Sequence, residues 1–579
     1  MYPKEQSHLR EGIVMRNTST PQPPKRYTVT AALPYANGPL HIGHLAGAHL
    51  PADIYVRYLR SQHKDVLFIS GSDEHGVPIA IRAAEASATP RQIADRYHRL
   101  NQASLHHMGI HFDVFTRTSS QAHRRNATEF FEELHRKGIF EKRSSAQYYD
   151  GIKQQFLADR YIRGRCPHCA HEDAYGDQCE SCGTSLEATE LLEPRSSLSN
   201  TPPELRETTH WYLPLNRYAE WLRTWLLEEQ ADWKPNVRAQ CKAWLDQGLR
   251  PRAITRDLDW GVPVPLKEAK NKVLYVWFEA PIGYITATQE WAEKHHKNWK
   301  DYWSSPTTRL VHFIGKDNIV FHCIIFPTLL KAHGNFILPS NVPANDFLNL
   351  EGRKISTSRG WAVWVDDYLA SFPNQQDALR YVLCANGPEN RDSDFSWRDF
   401  QARNNNELVA VLGNFVHRVL TLIQKHYGGI VPEANPPGPA ETALSDQVKQ
   451  SRVFVGRALD QYRFKEALQE VMQVARSANK YLTEKSPWTL LKTDKVQAGG
   501  VLCAALQLMA HLAALLSPFL PFSTEKMYKM LCIDALPWTP DEGVQLVPSG
   551  TQLPVPERLF VYIPDDLIAH QRSKLSIQR

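Results

Sequence analysis

The stretch Tyr27 to His44, YTVTAALPYANGPLHIGH, decides the fold. It begins as a run of β-branched and small apolar residues that breaks at Pro34. From Ile42 an amphipathic pattern carries Ala52, Ile54, Tyr55 and Leu59 on to Arg60. That order predicts a strand, a glycine-containing loop and a helix. A second apolar run, Val66 to Ile69, ends in Gly71-Ser72-Asp73 and leads to a helical pattern over Ile79 to Glu85. Strand-like runs return at Lys272 to Phe278 and Arg309 to Ile314, each followed by a helical pattern. Such alternation implies an α/β fold with a Rossmann-like, doubly wound parallel sheet.

Outward from that core, the region between the two sets of strands reads as an insertion. Beyond Asn404 the pattern is almost wholly helical, with periodic segments at 404–426, 444–483 and 496–516. An appended all-α bundle is expected, with Pro-rich VPEANPPGPAET (431–442) as a loop between two of its helices. A chain of 579 residues is too long for one core, and its 42% apolar and 22% charged residues fit a multi-domain globular protein. The 67 Lys and Arg against 62 Asp and Glu leave a charge of +5, which tolerates a polyanion without naming one. Residues 1–26 lack the apolar run of a signal peptide and read as a loose extension. The most apolar stretch, Val501 to Leu516, is broken by Gln507 and His511 and reads as a buried helix, so no membrane span is expected.

Four of the nine cysteines fall in Cys166-Pro167-His168-Cys169 and Cys179-Glu180-Ser181-Cys182. The spacing C-x2-C-x9-C-x2-C is that of two thiolate hairpins closing a tetrahedral Zn²⁺ site. Four thiolates leave no coordination position for water or substrate, so the ion is expected to be structural. The other five cysteines are scattered, which points to a reducing, cytoplasmic setting rather than a disulfide framework.

His41, Gly43 and His44 lie where the first strand turns into its helix, so backbone N–H groups and the positive end of the helix dipole would face an anion. Gly43 would let a nucleotide approach closely. A second segment, Gly352-Arg353-Lys354-Ile355-Ser356-Thr357-Ser358-Arg359-Gly360, is dense in cations and hydroxyls and suits a triphosphate. Together the two resemble the HIGH and KMSKS signatures of class I aminoacyl-tRNA synthetases. Three further stretches resemble the active site of the methionyl members: Ala32-Leu33-Pro34-Tyr35-Ala36-Asn37-Gly38, Tyr275 to Tyr284 (YVWFEAPIGY), and His312 to Asp317 (HFIGKD) followed by Phe321-His322.

The resemblance implies ATP-dependent activation of L-methionine to methionyl-adenylate with release of pyrophosphate, then transfer to the 3′ end of tRNA(Met). It assigns catalysis to His41, His44 and Lys354, and ATP binding to His41, Gly43, His44, Gly315, Asp317, Lys354, Ser356 and Ser358, with Mg²⁺ accompanying ATP. Methionine falls to Ala32, Leu33, Tyr35, Asp73, Val276, Trp277, Ala280, Pro281, Tyr284 and His322. This set makes physical sense: an apolar, aromatic lining suits a polarizable thioether, and Asp73 offers a carboxylate to the ammonium. Asn414 and Arg418, at i and i+4 on one helix face, and Trp488 match residues that read the anticodon, the indole by stacking on a base. One departure stands out: Thr357 occupies the place of the family's second lysine, so Lys354 with Arg353 or Arg359 is expected to suffice.

The division that follows is an extension (1–26), the first catalytic half (27–119), a connective insertion with the zinc knuckle at 166–182 (120–272), the second catalytic half (273–347), a KMSKS-loop and stem-contact domain (348–403), the anticodon-binding bundle (404–552) and a tail (553–579). A monomer is expected, because the tail is too short for a dimerising tRNA-binding module. Two rival readings are a tRNA-binding relative that has lost activation through Thr357, and a nucleic-acid-binding zinc protein.

Overall fold

The computed structural model describes residues 24–579 except 177, 178, 180, 183–185, 187, 358, 541–543, 578 and 579. Residues 1–23 of the expected extension and Ser358 of the expected nucleotide loop lie outside the described residues. Five strands form the central sheet: β1 (Arg26–Ala31), β2 (Asp65–Ser72), β3 (Val114–Arg117), β4 (Thr308–Gly315) and β5 (Ala344–Asn345). Their order is β5-β4-β1-β2-β3, and every neighbouring pair is parallel. β1 is buried from Tyr27 onward and β4 along nearly its whole length, because helices cover both faces of the sheet. The winding reverses between β1 and β4, so a ligand crevice opens at the carboxyl ends of these two strands.

Three local readings change in the structure. The run Lys272 to Phe278 is not a core strand: only Val273–Leu274 is extended, paired antiparallel with Thr255–Arg256, and Val276–Glu279 is a helical turn. A short, fully apolar run does not distinguish strand from buried helix by periodicity. The segment 444–483 is two helices, Pro439–Asp460 and Phe464–Lys485, broken where Tyr462 takes φ 58° without any Gly or Pro to signal it. The helix after Ile42 contains a π turn over Leu45–His49, just ahead of Pro51. Proline lacks an N–H and its ring clashes with the carbonyl four residues back, and the wider turn relieves both problems. The same solution recurs at Phe321–Ile325, just ahead of Pro327.

The insertion carries a long antiparallel ribbon, Glu141–Asp150 against Glu204–Leu213, and a small three-stranded sheet of Ile162–Arg165, Ala174–Tyr175 and Leu192–Ser196. The cysteine hairpins extend from the latter. The helical region includes Lys495–Leu516, apolar and long enough to cross a bilayer, with 83% of its most apolar window buried inside the protein. The segment read as a tail carries a helix, Asp565–Ile577, tied to the start of the helical region where the Gln401 side-chain amide donates to Asp565 at 2.7 Å.

One apolar core runs without interruption from β1 and its helix into the bundle. Arg380 crosses that seam, wholly buried. Its guanidinium pairs with Asp53 at 2.6 Å and donates to the carbonyls of Met108 (3.2 Å) and Phe519 (2.9 Å). Removing one partner of such a buried, hydrogen-bonded pair costs about 3–5 kcal/mol, so catalytic and helical regions are locked into one body.

Candidate active site and metal centre

The turn from β1 into its helix is capped by imidazoles. His41 is the N-cap; its Nδ1 accepts from the Gly43 N–H at 3.1 Å, while His44 Nδ1 accepts from the His41 N–H at 3.1 Å. Capping and function are therefore compatible. With Nδ1 accepting, the one proton of each neutral ring sits on Nε2. Burial pushes His41 down to about 4, and burial followed by the neighbouring His41 and His49 pushes His44 well below the usual imidazole range. Both are thus uncharged Nε2–H donors near neutral pH. Gly43 is needed for a reason other than nucleotide access: a Cβ there would lie 2.9 Å from Cε1 and Nδ1 of His41 and 3.3 Å from Ile355.

That last contact joins the two signature segments. The Ile42 N–H donates to Val363 O at 3.0 Å and the Val365 N–H to Leu40 O at 2.9 Å, so the chain leaving the lysine loop is bonded directly to the histidine turn. Ser356 and Trp361 exchange backbone hydrogen bonds of 3.0 Å, which close the loop on itself. Lys354 is exposed, has no ion pair among the described residues, and lies 5.2 Å from the Phe347 ring centre. Arg353 is set over Trp361 at 5.3 Å. At the carboxyl end of β4, Asp317 opens to the cleft; desolvation raises its carboxyl while Lys354 and Lys316 pull it down. A Cβ on Gly315 would stand 2.6 Å from Asp317 Oδ1, so glycine there makes room for the carboxylate.

Next to this crevice is a separate small apolar cluster of Val276, Ala280 and Phe321, with Leu33, Tyr275 and Trp277 packed around it. The structure thus gathers Leu33, Val276, Trp277 and Ala280 as expected, and adds Tyr275 and Phe321, which lay inside the quoted motifs but outside the predicted set. Pro281 starts the next helix, which carries the buried Tyr284. His322 Nδ1 donates to Asn318 O at 3.1 Å, so its Nε2 accepts from the Tyr284 hydroxyl at 3.1 Å. Ala32 is held by its N–H to Phe313 O at 2.9 Å. Tyr35 pairs with Asp73 in a parallel bridge that fixes the Asp73 loop beside the exit of β1. Asp73 is buried and, among the described residues, has no cationic side chain in an ion pair; burial, then the charge of Glu279, raises its carboxyl well above the usual range.

Sequence reasoning missed the ring of polar groups behind Asp73. Glu279, fully buried, accepts from His75 Nδ1 at 2.7 Å and from His123 Nε2 at 2.5 Å. Glu279 stood within YVWFEAPIGY and His75 two places after Asp73, but nothing in the sequence pairs them with His123.

The four cysteine sulfurs all lie within 4.8 Å of one another, with Cys166 to Cys182 at 3.9 Å and Cys169 to Cys179 at 3.6 Å. Zinc–sulfur bonds of ~2.3 Å in a tetrahedron require sulfurs about 3.8 Å apart, so the set fits the ion. His168 contributes its backbone N–H to Cys166 Sγ at 3.4 Å. The knuckle's core includes Cys166, Cys179 and Val77, and Val77 opens the helix that follows the Asp73 loop.

In the helical region Arg418 lies over the Trp488 ring at 4.7 Å, and Asn414 is exposed one turn earlier on the same helix. Arg418 and Trp488 are thus brought together, with Asn414 one helical turn from Arg418. This cluster belongs to the helical region and the cysteine knuckle to the insertion.

A family model described as tRNA synthetases class I (M) matches residues 27–420, and one described as the anticodon binding domain of methionyl tRNA ligase matches 431–579. A methionine–tRNA ligase of Bacteroides fragilis is 56% identical over 551 residues, 95% of this chain and 81% of the relative. One of Flavobacterium psychrophilum is 53% identical over 96% of this chain and 81% of its own. A solved structure of Mycobacterium tuberculosis methionyl-tRNA synthetase in complex with methionyl-adenylate superposes with a TM-score of 0.77 at 26% identity, covering 93% of this chain and 99% of that one.

Proposed function

The chain belongs to the methionyl-tRNA synthetases of class I and has methionine–tRNA ligase activity, and on that premise we propose how its residues divide the work. Asp73 takes the methionine ammonium, and the walls formed by Leu33, Val276, Trp277, Ala280 and Tyr284 take the thioether, with His322 holding the Tyr284 hydroxyl. Gly315 and Asp317 receive the adenylate ribose. The substrate carboxylate attacks the α-phosphorus of ATP, and the bond to the leaving pyrophosphate breaks in line. His41 and His44 donate from Nε2 to oxygens gaining charge on the transferring group, while Lys354 and the Ser356 loop hold the pyrophosphate. Mg²⁺ accompanying ATP would neutralise phosphate charge. A terminal ribose hydroxyl of tRNA(Met) then attacks the mixed anhydride and AMP departs, with no protein nucleophile.

Asn414, Arg418 and Trp488 read the anticodon by stacking and base-edge hydrogen bonds. Cys166, Cys169, Cys179 and Cys182 would hold one zinc ion whose part is structural. One chain supplies every motif of the cleft, which supports a monomer, and nine cysteines free of disulfides support a cytoplasmic setting.

The observation that carries the reading is the direct bonding of the histidine turn to the lysine-loop segment, Ile42 N–H to Val363 O. ATP–pyrophosphate exchange tested with each amino acid in turn should respond to methionine. Lys354→Ala should lower that exchange about 10²-fold or more, the scale for loss of one preorganised charge-stabilising group. Exchange at the parent rate would overturn the role given to Lys354, and would leave Thr357 without a compensating cation.

A further inference from the structure

Glu279 has no part in the division of labour above, and its surroundings are unusual for a bystander. It closes the helical turn Val276–Glu279, which carries two walls of the methionine pocket and leads directly into a third, Ala280. Its two carboxylate oxygens are gripped from separate elements. His75 comes from the loop that presents Asp73, and its own N–H lies 3.4 Å from Asp73 Oδ1. His123 comes from the helix Gln121–Arg136, where its Nδ1 meets Thr286 Oγ1 at 3.3 Å. Trp260 closes the far side edge-on to His75, with ring centres 5.5 Å apart, and donates its indole N–H to Glu74 O at 2.6 Å. The contacts Asp73, His75 and Glu279 therefore run from the ammonium carboxylate to the turn Val276–Glu279, which itself carries Val276 and Trp277 of the apolar wall.

We propose that Glu279 is a positioning residue: its carboxylate, held by His75 and His123, sets the distance between Asp73 and the pocket walls, and so selects the length of the amino-acid side chain. This rests on the pocket reading given above. The physical basis is that a rigid, fully hydrogen-bonded buried network specifies one geometry, whereas an apolar pocket alone separates substrates differing by one methylene by only about 10- to 200-fold.

The two conservative variants pull apart. Glu279→Gln keeps the length, and a tautomer change at either imidazole accommodates its amide. Glu279→Asp keeps the charge but withdraws the carboxylate by one methylene. In ATP–pyrophosphate exchange, Glu279→Asp should raise KM for methionine about tenfold and change the ratio of kcat/KM for methionine over ethionine, since a misplacement of ~1 Å is enough to matter. Glu279→Gln should stay within about threefold of the parent, and KM for ATP should stay within about twofold in both variants. The reverse ranking, with Gln impaired and Asp near parent, would overturn the proposal in favour of a charge role. Parallel loss of methionine and ATP parameters would overturn it in favour of simple folding support. Trp277→Ala is the control: an unchanged methionine KM there would sink the pocket assignment itself, independently of Glu279.

Discussion

In the cysteine knuckle, Cys166 and Cys182, only sixteen positions apart, bring their sulfurs to 3.9 Å. In the catalytic cleft, Ile42 N–H and Val363 O reach 3.0 Å from opposite ends of the catalytic region. The knuckle is a local object: two hairpins and four thiolates define its geometry, and the surrounding fold has only to support it. The cleft is the reverse. Its groups come from the carboxyl ends of β1, β2 and β4, from the turn Val276–Glu279 and from the lysine loop, and no two of those segments are neighbours in the chain. Damage to the knuckle should therefore stay largely local, while a sub-ångström change in the cleft should reach the chemistry.

Within this comparison the largest effect is expected at Gly43. In Gly43→Ala the new methyl presses on His41 at 2.9 Å, and exchange should fall about 10²-fold, the usual consequence of displacing a group that must meet a transition state. Zinc content, measured by atomic absorption, should match that of the parent. Exchange at the parent rate would mean that the histidine turn tolerates movement, and the contrast with the knuckle would be lost.

An intermediate effect is expected in the helical region. Trp488→Ala removes the indole under Arg418 and should raise KM for tRNA(Met) about tenfold, in keeping with one lost base stack, while methionine-dependent exchange stays at the parent level. If exchange falls together with tRNA charging, Trp488 acts through the fold and not on the anticodon.

The smallest effect on the first reaction is expected in the knuckle. Cys179→Ser should lose the bound zinc and expose the insertion to limited proteolysis. Exchange should fall by no more than about threefold, because a four-thiolate ion offers no open position to a substrate. A collapse of exchange on the scale of Gly43→Ala would show that the knuckle, through Val77 and the Asp73 loop, shapes the cleft directly.

The sequence by itself determined the parts whose information is local. The run Tyr27 to His44 specified strand, loop and helix; the four cysteines specified a tetrahedral site; Asn414 and Arg418 shared a face through helical periodicity alone. Resemblance then supplied the family and most of the residues proposed for the pocket. Only the tertiary structure decided that His41 and His44 cap one another through Nδ1 and so present Nε2–H, and that Gly43 yields space to His41. It also decided that Val276–Glu279 is helical where the apolar run read as a strand. The grip of His75 and His123 on Glu279 was likewise invisible in the chain. Hydrogen-bond direction, tautomer and burial depend on partners brought together by strand order, and periodicity within one segment carries no information about which distant segment will complete it.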